Sequence, residues 1–259
     1  MMLDIKEREV SSMRSVERTF HVLAVLEESG CALNVTDLGH ACQLSNATVM
    51  RILAILEKYG FVEKRQGRYR LGAATLPLAH SFVLGNELTR VSLPVLRELA
   101  ETTGEMASLF VRLGFKRILV QRVYGLQPLR FLLPIGQRDP LPVGAGKVLA
   151  AAMSDEDLRK NMDEIGEIQL ADGRRLTWES LIVDIERIRQ QGYSVSYSDR
   201  SVGTFSVSAP VIDASGATIA AVSVAGSADK LKPKRLKQLS VDVRVAAKAV
   251  ADRYDGRFV

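Results

Sequence analysis

Between residues 15 and 71 the apolar positions follow a helical period three times and then switch to a strand period. Val16, Phe20, Leu23 and Leu26 recur at steps of three and four, which predicts a helix that Ser29-Gly30 ends. Asn34 suits the cap of a second helix, with Asp37 placed to favour its positive end. That helix is short, carries Leu38 and Ala41, and ends near Gln43. After a tight turn, Ser45 caps a third helix in which Val49, Ile52, Leu53 and Leu56 form one apolar stripe, and Tyr59-Gly60 closes it. Phe61-Val62 and Arg68–Leu71 then read as two short strands around Arg65-Gln66-Gly67. Three helices and a hairpin, with a tight turn between the second and third helices, make the layout of a winged helix-turn-helix over 10–72.

Residues 73–103 read as a helical linker broken at Gly85-Asn86, with Pro94 expected in the first turn of its second helix, where a missing N–H costs nothing. From Gly104 the period changes again. Met106–Arg112 and Arg117–Val123 predict a hairpin across Gly114, and Leu129–Leu133 a further strand. Gly144-Ala145-Gly146 precedes an apolar helical run over Val148–Met153. Thr177 caps a helix with Trp178, Leu181, Ile185 and Ile188 on one face, ended by Gly192. Strands follow at Tyr193–Tyr197, Thr204–Val211 and Thr218–Ala225, and a last helix from Pro233 buries Leu236, Leu239, Val243 and Val250. Consecutive strands between helices predict an α+β domain with an antiparallel sheet over 104–259.

Composition narrows the class. With 47% hydrophobic and 25% charged residues, the chain is ordinary globular protein, long enough for two cores. No stretch has the length and apolarity of a membrane span, and the charged start lacks a secretion signal core, so a cytoplasmic protein without a membrane partner is expected. Two cysteines, Cys31 and Cys42, exclude a disulfide framework; they leave open a redox switch beside the plainer reading as small apolar side chains. The net charge of +5 is compatible with nucleic acid but does not single it out.

Where the charge lies decides more. On the third helix, Ala47, Arg51, Ala54 and Lys58 oppose the apolar stripe, with Met50 flanking. Small residues permit close approach to a groove, and Arg51 can fork onto a guanine edge or grip a phosphate. Ser45, Asn46 and Thr48 crowd the helix start, where hydroxyls and N–H groups suit phosphate oxygens. The hairpin sets Lys64, Arg65, Arg68 and Arg70 against Glu63, as backbone anchoring requires. The expected partner is double-stranded operator DNA, contacted through Ser45, Asn46, Ala47, Thr48, Met50, Arg51, Lys64, Arg65 and Arg68; the plainer alternative is a solvated charged hairpin on a helical bundle.

The blocks SVERTFHVLAVLEESG and NVTDLGHACQLSNATVMRILAILEKYGFVEKRQGRYRLG resemble the reader domain of the IclR family of bacterial transcription regulators. ETTGEMASLFVR, LPVGAG, IRQQGYSVSYSDRSVGTFSVSAPVIDASG and AAVSVAGSADKL resemble that family's effector domain in the same order. The resemblance implies an N-terminal winged helix, a dimerising linker helix and a GAF-like effector domain. It also implies action as a homodimer or dimer of dimers that represses or activates according to a small metabolite.

The resemblance further implies an effector pocket. Gly144 and Ala145 match a loop whose amides bind an effector carboxylate, and Ser223 matches a pocket serine. Ser206 and Ser196 stand where better-known members have cysteine and aspartate. By strand alternation alone, Ser196, Ser206, Ser208 and Ser223 are either pocket hydroxyls or a wet outer face. A small organic acid is the expected effector, its carboxylate on free amides near Gly144 and Ala145, with Phe131 or Leu133 as apolar walls.

An enzyme is the rival class. Yet His21, His40 and His80 all precede residue 81, so the later domain has neither histidine nor cysteine for a triad, a thiol nucleophile or a soft metal site. No cofactor is expected. Gly144–Lys147 lacks the phosphate-loop fingerprint, and the cationic cluster Lys230, Lys232, Lys234, Arg235 and Lys237 reads first as a solvated face.

Overall fold

The computed structural model describes residues 2–126 and 134–256, with side chains from residue 13 onward. The expected strand at Leu129–Leu133, with the candidate walls Phe131 and Leu133, lies outside the described residues. Packing divides the chain at Phe82 and Val83 into two units.

The smaller unit holds α1 (Met2–Ser29), α2 (Val35–Cys42), α3 (Asn46–Lys58) and a hairpin of β1 (Val62–Arg65) and β2 (Arg68–Leu71). Local chemistry starts each element. Asn34 Oδ1 accepts from Asp37 N at 2.9 Å and the Asp37 carboxylate accepts from Asn34 N at 3.4 Å, a reciprocal cap on α2. Ser45 Oγ accepts from Thr48 N at 3.3 Å to start α3. Between them the chain turns so tightly that a Cβ on Gly39 would stand 2.7 Å from Asn46 Oδ1 and 3.0 Å from the Leu44 carbonyl. Gln66 and Gly67 both take positive φ (50° and 73°), the two-residue turn that matches strand twist. Val22, Leu26, Leu38, Val49, Ile52, Leu53, Leu56 and Tyr69 close one core.

α1 departs from expectation. Val16 and Phe20 are 53% and 67% exposed, while Val22 and Leu26 carry the burial with help from Leu23 and Val25. Helical spacing places residues on a shared face but cannot say how far along the helix the neighbouring core reaches; here it starts at Val22.

α4 (Thr75–Gly85) precedes α5 (Glu87–Thr103), which Asn86 caps through Thr89 N at 3.1 Å. Pro94 lies inside α5 rather than in its first turn, because the helix begins at the Asn86 cap. Leu88, Val91, Val95, Leu96 and Leu99 of α5 belong to the core of the larger unit.

Among the described residues, that unit is built on a six-stranded antiparallel sheet. Its strands are β3 (Met106–Leu113), β4 (Lys116–Val123), β5 (Arg138–Pro140), β8 (Ser194–Tyr197), β9 (Thr204–Ile212) and β10 (Thr218–Ser227), in the order β5-β4-β3-β10-β9-β8. One face carries Leu109, Val207, Val211, Val222 and Val224 against α5 and α9 (Pro233–Ala251), where Leu239 and Val243 are fully buried. The opposite face carries Phe110, Leu119 and Ala221 against α6 (Gly146–Ala150), α7 (Asp155–Ile165) and α8 (Trp178–Gln191). A small hairpin of β6 (Ile168–Gln169) and β7 (Arg175–Leu176) completes the unit. β5, α7 and the β6–β7 hairpin carry no sequence pattern strong enough to announce them: the strands are two or three residues long, and α7 buries only Leu158 and Met162.

Candidate functional site

Two surfaces carry the candidate residues, one in each unit. In the smaller unit, the buried stripe of α3 turns Ser45, Asn46, Ala47, Met50 and Arg51 outward, with Thr48 half-buried and its Oγ1 2.9 Å from Ser45 Oγ. In the hairpin Arg70 pairs with Glu63, so the net positive charge of this segment rests on Lys64, Arg65 and Arg68, all exposed. Lys64 Nζ lies 5.4 Å from the Tyr69 ring centre, and Arg68 Nη1 donates to the Ala32 carbonyl at 3.2 Å. A helix start rich in hydroxyls, an outward arginine and a cationic hairpin thus share one small unit, the set of groups a duplex reader needs. Cys42 is buried in this core, where burial pushes its thiol pKa up, while Cys31 is exposed.

In the larger unit, strand register gathers hydroxyls. Ser196 pairs with Ser206 across β8 and β9; Ser208 pairs with Ser194 on β8 and with Ser223 on β10, and Ser223 in turn faces Ser108 on β3. All except Ser206 are nearly or wholly buried. Beside them lies a cavity of about 130 Å³. Five of the six expected residues, Gly144, Ala145, Ser196, Ser206 and Ser223, line it. Ser208 does not; it lies behind the lining and donates to Ser223 Oγ at 2.9 Å.

The lining also holds residues the sequence reading passed over, chiefly Arg117, Asp199 and Arg200, with Phe110 as an apolar wall. Arg117 is buried on β4 beneath the Phe110 ring, 4.5 Å from its centre. Its Nη2 donates to Asp139 Oδ2 at 3.0 Å, and Arg200 pairs with the other oxygen of Asp139. Burial and the neighbouring Arg200 lower the Arg117 pKa to about 9, against a smaller opposing pull from Asp199. Burial lowers Arg200 too. Charged residues in strands and loops are ordinarily solvated, so nothing in the pattern of this chain marked Arg117 or Asp199 as interior.

The amides expected to be free are not all so. Gly144 N donates to Asp199 Oδ2 at 3.1 Å, and the same carboxylate meets Lys147 Nζ at 3.2 Å and Arg174 Nη2 at 3.4 Å. Lys147 also reaches Asp184 at 3.0 Å. α6, only five residues long, has no extended dipole to offer an outside anion. Gly146 is sterically required: a Cβ there would lie 1.9 Å from the Leu141 carbonyl and 2.7 Å from Arg117 Cδ. Among the described residues no cluster of His, Cys, Asp and Glu is arranged to hold a metal, and no helix is long and apolar enough to cross a membrane.

Comparison with known proteins agrees with both units. Residues 15–66 match the IclR helix-turn-helix domain, and residues 80–252 match the C-terminal domain of bacterial transcriptional regulator IclR. The HTH-type transcriptional repressor AllR of Escherichia coli (strain K12) is 26% identical over 241 residues, covering 92% of this chain and 89% of that protein. A regulator of this type from Silicibacter sp. TM1040 has the same fold (TM-score 0.81, 21% identity, 95% of this chain and 98% of that one). So does an IclR homologue from Microbacterium hydrocarbonoxydans solved with 4-hydroxybenzoate (TM-score 0.72, 20% identity, 92% and 98%). With its reader and its larger domain both matched, in that order, the chain belongs to the IclR family of DNA-binding transcriptional regulators and is not an enzyme.

Proposed function

We propose that this regulator binds operator DNA as a homodimer or dimer of dimers, in the cytoplasm, and that a small organic acid in the cavity of the larger unit changes its operator affinity. One observation carries the reading: a cavity lined by serine hydroxyls and a buried guanidinium, in a domain without histidine or cysteine for a Ser-His triad or a thiol nucleophile. Its volume, about 130 Å³, is close to that of cavities of about 150 Å³ that hold a benzene ring, which favours compact acids. That a homologue of this fold was solved with 4-hydroxybenzoate supports the acid class without choosing its member.

On the DNA side, Arg51, flanked by Ala47 and Met50, reads base edges, while Ser45, Asn46, Thr48, Lys64, Arg65 and Arg68 hold phosphates. A dimer is needed because one reader covers too few base pairs for useful specificity, and two-fold symmetry supplies the second half-site. Gel shifts on fragments upstream of its own gene, with and without a panel of organic acids, test the reading. A specific shift that an acid strengthens or releases supports it; an operator shift unmoved by any acid refutes the regulatory half.

A further inference from the structure

Resting on the effector reading above, we propose that Arg117, rather than the loop amide at Gly144, anchors the effector's charged group, and that the ligand is a compact monoanion whose adjoining oxygen meets Ser196 and Ser206.

Three independent observations converge on that assignment. First, the Gly144 amide is taken. Asp199 already accepts from Gly144 N and lies against Lys147 and Arg174, so an entering carboxylate would have to expel a buried one with three partners. Second, the cavity is lined by two buried polar side chains with atoms left unmet. Among the described residues, Arg117 Nε and Ser196 Oγ have no hydrogen-bond partner, although both residues are at least nine-tenths buried. A buried donor without an acceptor is costly, and an anion in this cavity supplies the acceptor. Gly144 leaves the approach open: a Cβ at that position would lie 3.6 Å from Arg117 Nη2 and 3.9 Å from Ser206 Oγ, so guanidinium and hydroxyl meet at a residue with no side chain.

Third, Arg117 sits beside a second guanidinium. Arg117 and Arg200 share the single carboxylate of Asp139; Arg117 is buried and Arg200 is 35% exposed. Beside them, Asp199, Asp184 and Asp172 face Lys147, Arg174 and Arg187. Burial lowers the pKa of both arginines, and the charge of Arg200 lowers that of Arg117 further, so a negative charge beside Arg117 is favourable. The cavity of about 130 Å³ restricts the rest of the ligand to roughly the bulk of a benzene ring.

The test is thermal shift and calorimetry on the full chain, with lactate against its neutral amide lactamide and benzoate against benzamide. An acid of either pair should stabilise the larger unit while its amide does not. Arg117→Lys keeps a positive charge opposite Asp139, and with it the fold, but gives up the Nε–H; acid affinity should fall about tenfold or more. Arg117→Met with Asp139→Asn removes the charge in balance and should abolish the response. Equal binding of acid and amide, wild-type affinity in Arg117→Lys, or no binding of either acid at millimolar concentration overturns the assignment. Operator gel shifts with the bound acid separate the two ideas. Acid that binds through Arg117 without changing operator affinity leaves this site standing and refutes the regulatory reading; acid that changes operator affinity equally in Arg117→Lys does the reverse.

Discussion

Asp139→Ala should be among the most damaging single substitutions in the larger unit, and more damaging than Arg117→Met. Both side chains of the pair are 4% exposed and face each other across the β4–β5 pairing at 3.0 Å. At an effective dielectric of about 20 that separation gives an attraction of about 5 kcal/mol before desolvation is subtracted. Removing Asp139 leaves Arg117 buried without its carboxylate and also strips Arg200. Leaving one charge of a buried pair uncompensated costs about 3–5 kcal/mol. Arg117→Met, by contrast, leaves Asp139 with Arg200, whose side chain is 35% exposed and turns readily to water, so a loss of about 1–3 kcal/mol is expected. The double variant Arg117→Met with Asp139→Asn, with neither buried charge, should recover most of the difference. Thermal melts of the full chain at neutral pH, following the larger unit's transition, provide the assay. For a domain of this size each kcal/mol moves the midpoint by about 2–4 °C, so Asp139→Ala should lower it by about 10 °C. Two single variants each within about 1 kcal/mol of wild type, or a double variant as unstable as the sum of both, would show that the pair is effectively solvated and refute the reasoning.

On DNA, Arg51→Ala should cost about 1–3 kcal/mol and relax preference at one base pair, whereas Arg65→Ala should weaken all sequences alike and lower the salt slope by about one; gel shifts over a salt series decide. Burial raises the Glu105 pKa against the opposing pull of Arg235 and Lys230, so its neutral form is the one the fold favours. The stability this contributes is complete below the unfolded pKa and is lost as pH rises through the folded one; the Tm advantage of Glu105→Gln over wild type should therefore grow between pH 4 and 7 (on the order of the carboxylate range), and an advantage that shrinks sinks the argument. Burial of Cys42 predicts that a thiol reagent titrates Cys31 alone in the native chain and both thiols only after denaturation; rapid native labelling of both, or an oxidant-induced Cys31–Cys42 bond, would revive a redox switch.

The reader was legible because its signals are local. Asn34 with Asp37, Ser45, the stripe from Val49 to Leu56 and Gln66-Gly67 each act over a few residues, and each forms where spacing places it. The same holds for the strands of the larger unit, whose alternation put Ser206 and Ser208 on one face and Val207 on the other before any pairing was known.

What lay beyond the sequence is what depends on distance along the chain. Ser196 meets Ser206, and Ser208 meets Ser223, only through the register of β8, β9 and β10. Asp199 reaches Gly144 from 55 residues away and Arg117 reaches Asp139 from 22, and no periodicity records such pairs. Sequence by itself determined most of the helices and strands and the family resemblance, since those follow from local hydrogen bonding, apolar period and motif; it left open whether the serines face a cavity or water. Only tertiary structure decided that a charged strand residue, Arg117, is interior and that the Gly144 amide is already occupied. Burial of a charge depends on which partner the folded chain brings to it, and that partner is fixed by packing rather than by neighbouring residues.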